Sequence, residues 1–145
     1  MMRTLLRAAL LVLALALPRP VAAQERLEGF AARVARLWSD GNARALADLA
    51  PEGGHIVLAL GADEARAVHE RHVGAALRDL FNGRETVSVR TTQVTLSGGT
   101  PALGFSQLSW VSRPSGVTRP VTATVYLGAV LEDGVWRLRE IRVLS

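Results

Sequence analysis

The chain has 145 residues, with 17 arginines, no lysine, 13 acidic side chains and no cysteine. Without cysteine it carries no disulfide, thiol nucleophile, thiolate metal site or iron–sulfur cluster, and no cysteine to hold a lipid anchor. The formal charge is +4, but Arg3, Arg7 and Arg19 lie near the start, and from Gln24 onward 14 arginines face 13 acids, a balance of +1. Nucleic-acid binding needs a clustered excess of positive charge, so no nucleic-acid partner is expected.

The opening run MMRTLLRAALLVLALALPRPVAAQ has the three parts of a secretory signal. Arg3 and Arg7 supply the charged start, and Ala8 to Leu17 is unbroken and apolar. Pro18 and Pro20 then break the helix, and Val21-Ala22-Ala23 offers small residues for cleavage before Gln24. A spanning helix needs about 20 apolar residues, and this run is about half that. A cleavable signal over residues 1–23 is therefore expected, with no stable membrane span after cleavage. Residues 24–145 are the size of one ordinary domain, exported to a periplasm or beyond the cell.

Gln24 to Ser39 reads as an amphipathic helix, because Leu27, Phe30, Ala31, Val34, Leu37 and Trp38 recur at helical spacing. Ser39-Asp40-Gly41-Asn42 stops it, and Asn42 caps a short second helix over Ala43 to Leu49. His55 to Leu60 is a short apolar run bounded by glycine and reads as a strand. Asp63 is the expected N-cap of a long helix from Glu64 to Phe81, with a buried stripe of Ala65, Val68, His72 or Val73, Ala76, Leu77, Leu80 and Phe81. Asn82-Gly83 supplies a C-terminal stop that favours left-handed backbone.

The remainder reads as four strands. In Glu85 to Leu96 the apolar phase moves from Val87 and Val89 to Val94 and Leu96, which predicts a bulge near Thr92. Ala102 to Ser112 follows a Ser-Gly-Gly turn, and Arg113 to Pro120 is a loop. Val121 to Leu131 alternates cleanly, and Asp133-Gly134 predicts a two-residue hairpin turn into Val135 to Leu144. The expected class is α+β: a bent antiparallel sheet wrapping a long helix, with N-terminal helices on the same face.

That order, with WSDGNARALADLAP between the first helices and EDGVWRLREIRV at the end, resembles the nuclear transport factor 2-like superfamily, a cystatin-like cone. The likeness covers essentially the whole chain after the signal and is greatest to exported bacterial members of unknown role, including the SnoaL-like kind. It implies a bent sheet that wraps a long helix and leaves a pocket. The superfamily spans ketosteroid isomerase, polyketide cyclases, dehydratases and transport adaptors, and fold does not select among them. The isomerase works with a pocket Asp base and an oxyanion hole of Tyr and protonated Asp. That set cannot be placed here: Tyr126, the sole tyrosine, falls in the final sheet, and no Asp lies within the four strands.

Other constellations are sparse. His69 and His72 are three apart on the expected helix, but no third zinc ligand is identifiable, so no metal or other cofactor is expected. His55 is alone. There is no nucleophile elbow and no phosphate-binding glycine loop. Counting back from an Asp133-Gly134 turn without interruption pairs Leu127 with Glu140 and Val125 with Arg142, placing both charges on the core face with Trp136 and Leu138. Charges there are costly unless paired or solvated, but in the resembling fold that face lines the pocket. A bulge near Arg139, favoured because bent sheets carry bulges, would instead return Ile141 and Val143 to the core and turn both charges outward.

Trp38, Trp110 and Trp136 read as core or as aromatic pocket walls. The candidate ligand-binding set is thus Trp38, His72, Trp110, Trp136, Glu140 and Arg142, with no catalytic residues assigned. The leading expectation is a non-catalytic domain for a small apolar or amphipathic ligand. Two alternatives stand beside it. One is an isomerase-, cyclase- or dehydratase-type enzyme using Glu140 or His72 as base. The other is a homodimer formed through the outer sheet face with Tyr126, Ile141 and Val143 exposed.

Overall fold

The computed structural model describes residues 19–61 and 64–145. Its elements run α1 (Arg19–Ser39), α2 (Ala43–Ala47), β1 (His55–Leu60), β2 (Arg66–His69), α3 (Glu70–Asn82), β3 (Arg84–Ser97), β4 (Leu103–Pro114), β5 (Val121–Glu132) and β6 (Val135–Leu144). Most of the expected signal lies outside the described residues. α1 is described from Arg19 onward. No described helix is long and apolar enough to cross a membrane.

The six strands form one sheet in the order β2-β1-β6-β5-β4-β3. All neighbours are antiparallel except β1 and β6, which run parallel. The three helices cover one face. Val34 and Trp38 of α1, Leu46 of α2 and Val73 and Leu77 of α3 meet Leu108, Trp110, Val125, Ile141 and Val143 in one buried cluster. A smaller cluster of Leu27, Ala129 and Trp136 closes the other end. There Gly104 is required by close approach: a Cβ on it would collide with Leu27 Cδ1 and lie 3.2 Å from the Trp136 ring.

Three expectations on the third helix are corrected. Residues 66–69 are strand β2, pairing with His55–Leu58 of β1, and α3 starts only at Glu70. The backbone groups along this edge of β1 gain partners that a longer helix would have denied them, and that requirement overrides the helix preference of Ala and Arg. His69, not Asp63, caps the helix, its Nδ1 accepting from Arg71 N–H at 3.3 Å; Asp63 lies outside the described residues. The helix does end at Asn82, but Gly83 keeps a right-handed φ of −84°, so it is not a left-handed stop. Asn42 caps α2 as expected, accepting from Ala45 N–H at 3.1 Å.

The Asp133-Gly134 turn has φ of 50° and 77°, the pair of positive values that a tight hairpin turn of matching twist demands. β3 carries the expected irregularity at Thr92 and a second at Val87. β6 carries one at Arg139, between the pairs Ala129–Leu138 and Gly128–Glu140. Beyond it Leu127 opposes Ile141 and Val125 opposes Val143. The uninterrupted register is therefore corrected: both aliphatic side chains are fully buried, and Glu140 and Arg142 face away from the helices.

Candidate functional site

Inside the cone, α1, α3 and β4 bring three aromatic rings together. Trp38 meets Phe81 and Trp110 edge-on, with centroids 5.1 and 5.4 Å apart, and Phe81 meets Trp110 at 6.1 Å. Trp110 donates its indole N–H to Thr86 Oγ1 at 3.0 Å, and the Arg84 guanidinium stands 5.2 Å over its ring. Trp38 and Trp110 are fully buried. These tryptophans act as core: large rings in edge-to-face contact fill the space where the resemblance places a pocket.

The opposite sheet face has the geometry of a site. The strand registers set out two rows across β3 to β6: Thr95, Phe105, Gly128, Glu140, and beside it Gln93, Gln107, Tyr126, Arg142. At Gly128 a side chain is missing from the lattice, and a groove of about 340 Å³ opens over it. Glu140 leans over this glycine, its Oε2 3.7 Å from where a Cβ would stand. Arg142 Nε donates to Glu140 Oε1 in an ion pair along one wall. Phe105 and Tyr126 line the groove at 48% and 38% exposure, and Leu144 at 51% extends the apolar surface. The groove thus joins two half-exposed aromatic rings to a mutually neutralised carboxylate and guanidinium.

The candidate residues are therefore divided. Glu140 and Arg142 belong to the outer groove, while Trp38 and Trp110 are in the core. Trp136 is in the smaller core cluster, at the edge of a separate hollow between α1 and the β5–β6 hairpin. His72 is exposed on α3 rather than at the edge of the buried stripe, which consists of Val73 and Leu77; its Nε2 accepts from Arg71 Nε at 3.3 Å. His69 instead stacks edge-on against His55, its cross-strand partner, at 5.1 Å. Among the described residues no group of three or more histidines and acids could hold a metal ion. The dimer expectation is corrected at two positions, since Ile141 and Val143 are buried; only Tyr126 of that trio is exposed. Sequence reasoning missed Phe105, Gln107 and Gly128, whose signal was the cross-strand register itself.

No family model matches the sequence, and no curated protein matches it. Solved structures do. A scytalone dehydratase-like protein from Novosphingobium aromaticivorans superposes with a TM-score of 0.66 at 12% identity, over 86% of this chain and 84% of that one. A DUF4783 family protein from Bacteroides uniformis gives 0.63 at 12% identity, over 77% and 93%. Aln2 from a Streptomyces species gives 0.62 at 15% identity, over 89% and 94%. At such identities the likeness defines the fold alone: an α+β cone of the nuclear transport factor 2-like type.

Proposed function

We propose that this chain is an exported, non-catalytic binding domain that takes a small amphipathic ligand in the groove on the outer sheet face. The observation that carries the reading is the contrast between the two faces. The cone interior around Trp38 and Trp110 is occupied by the protein's own rings, whereas the outer face offers a concavity of ligand size with apolar rings beside a polar pair. An acid–base enzyme of the isomerase or dehydratase kind would place a carboxylate or imidazole deep in the cavity. Glu140 lies on the outer face and His72 is exposed, so neither supports that alternative. Export rests on the N-terminal pattern of charge, apolar run and small residues.

A second use of the same face is favoured by one observation: Phe105 and Leu144, both about half exposed, flank the groove and would be covered by a second copy. Native mass spectrometry of the protein recovered from its exported compartment separates the readings. The ligand reading predicts an extra mass that disappears on denaturation and is absent from Gly128→Leu, which fills the groove. A bare dimer mass would support self-association instead. Retention of that mass by Gly128→Leu at undiminished stoichiometry would refute the groove as its site.

A further inference from the structure

We infer a second site, independent of the outer groove: the hollow between α1 and the β5–β6 hairpin binds an amphipathic anion. This hollow measures about 480 Å³ and is more open than the groove. Arg26 and Arg33 line it from α1, seven residues apart and so on one helical face. Arg137 lines it from β6, and Asp48 is the single acid among its lining residues. Among the described residues the sole salt bridge is Glu140–Arg142, so no described carboxylate pairs with any of these three guanidiniums. Three cations against one acid form a local excess in a protein whose total after Gln24 is +1.

The rest of the lining sets the ligand's other end. Phe30 and Trp136 give the hollow an apolar wall. Trp136 is 5% exposed, and its indole nitrogen is buried beneath that wall, so the ring lends the hollow an apolar surface and a spectroscopic reporter. Guanidinium groups are donors only, so Asp48 is the one charged acceptor among the lining residues. A ligand that answers this donor set is rich in acceptors and negatively charged, and it carries an apolar body to cover the rings. A carboxylate or phosphate head on an aliphatic chain meets all three conditions, with the head held in the bidentate manner of arginine. A cation would meet three like charges, and a neutral amphiphile would leave the guanidiniums without counter-charge.

The test uses the purified protein with octanoate, octyl phosphate and neutral octyl glucoside as probes, read by the Trp136 indole N–H resonance. Trp136→Phe identifies that resonance. Saturable shifts with octanoate or octyl phosphate, reduced at least tenfold in affinity by Arg26→Gln with Arg33→Gln and unaffected by Gly128→Leu, would establish the site. Both arginines are exposed, so this double variant keeps its core. A parallel arm with phosphatidylcholine vesicles, with and without phosphatidylglycerol, identifies the source. Arginine-dependent binding to the anionic vesicles alone would place the anion in a lipid headgroup. Equal binding of octyl glucoside, or no response to any anionic probe or vesicle, would overturn the proposal. Because Gly128→Leu acts at the other face, failure here leaves the groove reading untouched.

Discussion

Deleting Arg139 tests why the Glu140–Arg142 pair faces outward. In the native strand Arg139 is the extra residue that lets both Leu138 and Ile141 point into the core. An unbulged strand of the same sequence would expel Ile141 and Val143, at roughly 1.5–3 kcal/mol each. It would also press two charges against the core, at several kcal/mol more before any pairing. Either cost is a large part of a domain's usual stability of about 5–15 kcal/mol, so the bulge is the cheaper solution. Removing Arg139 then yields a regular ladder in which Glu140 still opposes Gly128 and Ile141 still opposes Leu127. The expected loss is about 1 kcal/mol or less, as for other surface changes. Deleting Ile141 instead brings Arg142 opposite Leu127 on the core face and should cost at least about 3 kcal/mol. Urea denaturation at constant m-value measures both. Equal destabilisation by the two deletions would refute the register argument.

Gly134→Ala should destabilise by about 1 kcal/mol, because φ is 77° there and a Cβ is penalised in left-handed backbone; thermal unfolding reads it, and no change would place the turn in another conformation. Gly104→Ala should cost about 1–3 kcal/mol by overpacking the Leu27–Trp136 contact, visible in the same assay and relieved by adding Leu27→Ala. Glu140→Gln should change stability by less than about 1 kcal/mol, since the pair is partly exposed, while weakening ligand capture in the groove; a large stability loss would make the pair structural.

Local chemistry made part of this molecule legible. Asp133-Gly134 encodes its own turn, and the phase change around Thr92 is written in the order of Val and Thr. His55 to Leu60 was readable because glycine bounds a short apolar run. Residues 66–69 were not readable, because their strand state comes from a partner, β1, and not from their own helix-forming composition. Of the candidate site, Glu140 and Arg142 were identifiable as a pair whose face depended on one bulge. Phe105, Gln107 and Gly128 join them only through strand registers that no local pattern specifies. The tryptophans were ambiguous from sequence because an aromatic ring serves a core or a pocket wall equally well, and only their mutual edge contacts decide.

The central claim, a cone interior filled around Trp38 and Trp110 and an open outer groove, can be tested by thiol labelling, since the chain has no cysteine of its own. Ser112→Cys puts a thiol on the fully buried inner face of β4, and Gln107→Cys puts one in the groove. The account predicts rapid labelling of the groove variant, slowed when the captured ligand is present, and no labelling of Ser112→Cys until the protein unfolds. Rapid native-state labelling at position 112, protected by ligand, would contradict it and return the site to the interior of the cone.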